Sequence, residues 1–351
     1  MPLDSAVVKI FLVAFFSFVI AMAWTPLLTH FLYKYRLGKQ IRDEGRSPIF
    51  SRLHQKKSGT PTMGGILIWL TVLILSVAIY YFSLWFNHYF SFLNFLTRPQ
   101  TLLPLGCLVS AALVGLVDDY LNVRKIGPYG GGLSVKHRLL VYTLIALVAA
   151  FWFYFRLDWD LIRIPFVGNF NIGWWFMPFV IFVIVGTAFS VNEIDGLDGL
   201  AGGTLLVSYV SFGAIAFAQG RFDLAAFCGA IAGALLAFLW FNITPARFFM
   251  GDTGAMSLGV TLAIIAILTN SVLLLPIIGL LYVIESASVI LQVLSKKLRK
   301  GKKIFLSAPI HHHFEALGWP EAKVVMRFWV ISGVMALIGL SVFLMDTGAW
   351  R

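Results

Sequence analysis

"WWFMPFVIFVIVGTAFSVNEIDGLDGLAGGTLLVSYVSFGAIAFA", residues 174–218, sets two apolar runs, 174–191 and 200–218, on either side of an acidic connector. Each run approaches the roughly 20 residues an α-helix needs to cross a bilayer. The pattern repeats along the chain, giving apolar spans at about 5–28, 64–86, 101–121, 138–156, 174–191, 200–218, 223–241, 254–271, 273–294 and 325–345. With 59% hydrophobic and 12% charged residues in 351, an ordinary soluble domain is excluded. A spanning β-barrel would show short alternating segments instead. The expected fold is all-α: a polytopic integral membrane protein of about ten transmembrane helices, one domain over 1–351. The division between 254–271 and 273–294 is its least sharp feature.

Cys107 and Cys228 lie inside apolar spans and imply neither a disulfide framework nor a metal site. Ala21-Met22-Ala23 resembles a signal-peptidase site, but Asp4 beside the single Lys9 makes a poor positive leader, so the first span reads as an uncleaved helix. The net charge of +11 is unevenly placed, with 20 Lys and Arg in odd-numbered loops and four in even-numbered ones. The positive-inside rule then puts the odd loops in the cytoplasm and both termini outside. No base-stacking module accompanies the charge, which argues against nucleic acid. In an even loop, alternating apolar residues around Pro165 and Gly168 predict a small external hairpin.

Six of the 16 acidic residues fall in three odd-loop stretches: Asp118 and Asp119 in "VDDY", Glu193, Asp195 and Asp198 in the opening stretch, and Asp252 in "FFMGDTGA". A charge at bilayer depth costs about 2.5–3.5 kcal/mol, so it faces a cavity, a partner or an ion. Adjacent carboxylates repel, and an all-oxygen site of this kind suits Mg²⁺. Asp118-Asp119 alone reads equally as a hydrated helix end. Asp198 and Asp252 each precede an apolar run, where they also suit N-caps. "HQKKSGTPTMGG" (54–65) sets Lys56 and Lys57 before a Gly/Thr turn, which fits phosphate contact or the end of a basic loop. "GGGLSVKHRLL" (130–140) offers Lys136 and His137 after a flexible glycine run. "LSAPIHHHFEALGW" (306–319) carries His311, His312 and His313, which point about 100° apart on a regular helix and suit a nucleotide-binding or interfacial loop better than zinc. Glu285 is a lone acid inside the ninth span.

Taken in order, HQKKSGTPTMGG, VDDY, NEIDGLDGLAGG, FFMGDTGA and SAPIHHHFE resemble phospho-N-acetylmuramoyl-pentapeptide transferases, over about residues 54–315. The acidic motifs are shared with the wider polyprenyl-phosphate sugar-1-phosphate transferases, and the histidine stretch resembles the muramoyl branch. The resemblance implies transfer of phospho-MurNAc-pentapeptide from UDP-MurNAc-pentapeptide to undecaprenyl phosphate at the bacterial plasma membrane. Lipid I and UMP would be the products and Mg²⁺ the cofactor. It implies Asp252 as Mg²⁺ ligand, Asp118 as a base assisting the lipid phosphate, and Asp119 as its support. Asn192, Asp195, Gly196, Leu197 and Asp198 match the uridine-contacting loop, with Phe249 a candidate to stack on uracil. Lys57, Lys136 and His311 match positions near the phosphates, and Thr62, Asn242, Gly251, His312 and His313 complete the substrate-binding set. The expected active-site loops are 29–63, 121–138, 192–199, 242–254 and 295–324, all cytoplasmic. Asn122, Ile194 and Ala255 depart from the family's usual Lys, Thr and Ser, and "GPYGGG" lengthens loop 3. A sister transferase using UDP-N-acetylglucosamine is the rival reading, and a secondary transporter, which expects paired broken helices in two repeats, is a remoter one. The apolar face of the tenth span suits a homodimer or lipid equally.

Overall fold

In a hydrocarbon layer a chain must satisfy its backbone N–H and C=O groups internally, and helices do this within one segment. The computed structural model describes residues 2–38, 55–57, 59–85, 91–96, 99–128 and 131–348, and is mostly helical. The helices are α1 (Leu3–Lys34), α2 (Ile66–Trp85), α3 (Pro99–Val123), α4 (Val135–Phe151), α5 (Phe176–Ile194), α6 (Leu200–Ala218), α7 (Phe222–Asn242), α8 (Gly251–Leu268), α9 (Leu275–Ile278), α10 (Leu280–Leu298), α11 (Ile310–Ala316) and α12 (Glu321–Thr347). Among the described residues nine helices are long and apolar enough to cross a membrane. A tenth span is broken, with Val272–Ile278 and Leu280–Leu298 meeting at 79°. Pro276 lies at the start of α9 and Gly279 separates it from α10. The division expected near residue 272 is clean, with α8 ending at Leu268, and the break falls inside the expected span 273–294.

The core is built around α8. Every residue of this helix except Asp252 is buried, as a helix apolar on all sides must be. It packs against α3 and α5, while α7 packs against α1 and α6. Small residues let the backbones approach closely: a side chain at Gly65 would collide with Gly254, and one at Gly115 with the Asp252 carbonyl. The one residue of α8 that is not buried is therefore a carboxylate in its first turn.

Contacts between loops fall into two groups at opposite ends of the helices. At one end Lys9 Nζ donates to Asp223 Oδ1 at 2.6 Å and to the Asn94 carbonyl at 2.8 Å. The expected hairpin is there too: β1 (Leu161–Ile164) pairs antiparallel with β2 (Gly168–Asn171), Ile162 opposite Phe170. Arg163 ties it to Asp346 at 2.6 Å, and its backbone N–H to Asn270 at 3.1 Å. The other end gathers Lys57, Asp118, Asp119, Arg138, Asn192, Asp198, Asp252, His311 and Glu321. Of the first loop, Lys39, Arg42, Arg46, Arg52, His54 and Ser58 lie outside the described residues, as do Arg98 and the Tyr129-Gly130 part of GPYGGG.

Candidate active site

A helix leaves its first backbone N–H groups without internal partners, and a side-chain oxygen normally caps them. On α8 that oxygen comes from another helix. Asp119 Oδ1 accepts from the Asp252 N–H at 3.1 Å and Oδ2 from the Thr253 N–H at 3.0 Å. Thr62, almost fully buried, donates its hydroxyl to the same carboxylate at 3.3 Å. Gly251 adopts φ +74°, and a β-carbon there would lie 2.5 Å from Asp119 Oδ2 and 2.6 Å from Thr62 Oγ1. Backbone contacts between the two segments bring Thr62 there: Phe249 N–H donates to Pro61 O, Gly64 N–H to Phe249 O and Gly65 N–H to Met250 O, each at 2.8 Å. The expected N-caps are thus corrected. Neither helix start carries a side-chain cap of its own, because Asp252 lies within α8 and the residue before α6 is left-handed Gly199.

The neighbouring Asp118 is completely buried and faces the other way. Its Oδ1 accepts from the Leu133 N–H at 2.5 Å, and its Oδ2 lies 2.7 Å from Arg138 Nε. The same guanidinium reaches Asp252 Oδ2 at 2.9 Å and Asn192 Oδ1 at 3.2 Å. Asn192 in turn donates to Asp252 Oδ1 at 2.5 Å. Two carboxylates from α3 and α8 are thus held together by one cation from α4 and an amide from α5. Ser134 caps α4 and positions this cation, its hydroxyl meeting the His137 N–H and Nδ1. Lys136, the lysine expected here, is exposed, and Arg138 makes the contacts.

A second cluster adjoins Phe249. Lys57 Nζ lies 2.6 Å from Asp198 Oδ1, 2.5 Å from Glu321 Oε1 and 5.9 Å from the centre of the Phe249 ring. Asp198 Oδ2 accepts from the Ala246 N–H at 3.1 Å. Asn242 is buried with both amide atoms committed, accepting from the Gly199 N–H at 2.9 Å and donating to Phe248 O at 2.8 Å. Asp195 ends α5, while Leu197 is buried.

The three histidines part company. His311 Nδ1 lies 3.0 Å from Glu285 Oε2, both side chains fully buried, and this supplies the partner that the lone intramembrane acid lacked in the sequence. The ring packs onto Gly196, where a β-carbon would collide with Nε2. His312 Nδ1 meets Glu315 at 2.7 Å, and His313 Nδ1 accepts from the Leu306 N–H at 3.2 Å. Three partners for three consecutive rings follow from their angular spread on a helix. Among the described residues no three His, Cys, Asp or Glu side chains form a metal cluster.

A hard divalent cation needs less than that, since Mg²⁺ takes one or two carboxylates and fills its shell with water and substrate phosphates. Asp118 and Asp252 lie close enough to interact directly. Beside them the buried Asn122 Oδ1 finds no hydrogen-bond partner among the described residues. Carboxylate and amide oxygens converging on a position now bridged by a guanidinium fit such an ion in donor chemistry.

Sequence reasoning missed Arg138 and Glu321. The first is disguised among loop charges, although the Ser134 cap three residues before a basic pair is a visible helix start. The second reads as an ordinary acid in a first helical turn.

The profile described as glycosyl transferase family 4 matches residues 101–270, which hold both acidic partners of Arg138. Phospho-N-acetylmuramoyl-pentapeptide-transferase signature 1 matches residues 57–68, from Lys57 through Thr62 into α2. The phospho-N-acetylmuramoyl-pentapeptide-transferase of Chloroflexus aggregans is 39% identical over 345 residues, covering 95% of this chain and 89% of its own. Those of Listeria welshimeri and Listeria monocytogenes are each 40% identical over 327 residues, covering 93% of this chain and 95% of theirs.

Proposed function

The chain belongs to the phospho-N-acetylmuramoyl-pentapeptide-transferase family, and from that membership we infer that it moves phospho-MurNAc-pentapeptide from UDP-MurNAc-pentapeptide to undecaprenyl phosphate. Lipid I and UMP are the products, and the reaction serves peptidoglycan synthesis. The observation that supports this reading best is the pair Asp118 and Asp252, joined through Arg138 within the same loop cluster as the Lys57–Asp198 pair. A sister transferase acting on UDP-N-acetylglucosamine is not favoured by relatives that all carry the muramoyl name.

Phosphoryl transfer depends on bringing anionic groups together and holding them in line, so positioning and charge do most of the work. The lipid phosphate oxygen forms a bond to the sugar-side phosphorus as that phosphorus parts from its bridging oxygen, and the electron pair leaves with UMP. Asp118 takes the proton from the attacking phosphate. Arg138 holds that carboxylate and Asp252 in fixed relation, a task suited to a planar fork with several donors. Asp119 and Thr62 fix the start of α8, so that Asp252 projects from a rigid element. The loop Asp195–Asp198 and Asn192 bind uridine, with Phe249 against the base and Lys57 near the diphosphate. Asn242 braces that loop. His311, held by Glu285, closes it from the Gly196 side. Asp252, with Asn122 beside it, would hold Mg²⁺, which when bound offsets the diphosphate's negative charge. The concentration of Lys and Arg in the odd loops supports a cytoplasmic site at this end of the bundle, both termini outside, in the bacterial inner membrane.

The test follows UMP release and lipid product together in detergent-purified protein, with Mg²⁺, UDP-MurNAc-pentapeptide and undecaprenyl phosphate. Both products should form, stop on chelation by EDTA, and fall to background in Asp252→Ala. A folded wild-type protein inert with this donor would refute the assignment. Trapping a phospho-enzyme with the donor alone would replace direct attack by a covalent route.

A further inference from the structure

Glu321 opens α12, the last helix, and neither its first-turn position nor the motifs around it assign it a task. Yet one of its oxygens, Oε1, accepts both from Lys57 Nζ at 2.5 Å and from the Asp198 backbone N–H at 2.7 Å. Asp198 Oδ1 takes the same ammonium at 2.6 Å. The carboxylate therefore closes a ring through the side chain of Lys57 and the main chain of the loop before α6. Asp198 Oδ2 extends the ring to the Ala246 N–H at 3.1 Å, bringing in the loop that carries Phe249.

An ammonium has three protons. Two are given to Asp198 and Glu321, which fixes the direction of the third and leaves it for one further acceptor. Both bonds join an ammonium to a carboxylate and are therefore of the strong, charge-assisted kind, which holds the ring together. The lysine arrives at its ligand already oriented, and the loop's backbone is fixed with it. From this we propose that Glu321 is a positioning residue for the donor nucleotide. It presets Lys57 and the segment around Asp198, and acts on binding of the UDP-linked substrate rather than on the lipid phosphate or the chemical step. The proposal rests on the assignment of this loop to the donor.

The full-length enzyme as wild type, Glu321→Ala and Glu321→Gln is assayed with the donor varied at saturating undecaprenyl phosphate, and then the reverse. A hydrogen bond to a charged group contributes about 1.5–3 kcal/mol, and 1.4 kcal/mol is about tenfold in affinity. Glu321→Ala should therefore raise the donor KM by about tenfold or more, with kcat within about threefold and the lipid KM unchanged. Glu321→Gln keeps an acceptor for the Asp198 N–H and should recover part of the loss. UMP affinity, measured by calorimetry on the same proteins, should fall in step with the donor KM. An unchanged donor KM, or a fall in kcat with both KM values intact, overturns the proposal. Should the alanine variant fail to fold, the glutamine variant is judged by the same criterion. Failure of the underlying reading looks different: wild-type enzyme would release no UMP, and UMP would not bind.

Discussion

Arg138 concentrates the site's electrostatics in one side chain. Its Nε and two terminal nitrogens go to three acceptors on three helices, at 2.7, 2.9 and 3.2 Å. Lysine carries the same charge as a single point on a flexible stem and cannot span that set. Arg138→Lys should therefore fold but lose the fixed relation between Asp118 and Asp252. Two charge-assisted bonds of about 1.5–3 kcal/mol each are at risk, so kcat should fall by on the order of 100-fold while the donor KM moves little. Steady-state kinetics decide the matter, and a variant with wild-type kcat would reduce Arg138 to a packing role. The chain itself hides this residue. Arg138 lies 20 positions from Asp118, 54 from Asn192 and 114 from Asp252, and charge spacing along a sequence carries no record of such a junction. The same holds for Glu285, whose partner His311 is brought to it only by the packing of α10 against α11.

At the level of elements, α8 shows how a helix start becomes part of a site. The VDDY pair reads as two acids with one task, yet successive residues on a helix diverge, so Asp118 turns to Arg138 while Asp119 turns to the N–H groups of α8. Capping and proton transfer make opposite forecasts for Asp119. Asparagine keeps one acceptor oxygen, whereas alanine keeps none. If Asp119 caps α8, Asp119→Ala should cost about 0.5–2 kcal/mol of stability and most of the activity, and Asp119→Asn should recover a good part of both. Thermal unfolding alongside the assay separates the alternatives, because a proton carrier would be lost equally in the two variants. What was legible at this scale is what is local. Spans follow from runs of apolar residues, and the hairpin from alternation around Pro165 and Gly168. The 79° break was not foreseen, since Pro276 and Gly279 lie within an apolar stretch long enough to read as one straight span.

Over the whole molecule, the orientation rests on how charge divides among the loops. The loop contacts sort into two ends: Lys9, Asn94, Arg163, Asn270 and Asp346 at one, the acidic cluster at the other. The Lys and Arg counts of 20 and four divide between the same two groups of loops. The positive-inside rule then forecasts an external N-terminus and a cytoplasmic loop after α10. Single cysteines at Asp4 and Lys302, both exposed positions, test this directly. The native Cys107 and Cys228 are buried and give a low background. In intact spheroplasts a membrane-impermeant maleimide should label Asp4→Cys at once and Lys302→Cys only after permeabilisation. The reverse pattern would turn the molecule over. The acidic cluster would then lie across the membrane from the cytosolic pool of nucleotide-linked sugars, so this labelling tests the proposed reaction as well as the topology.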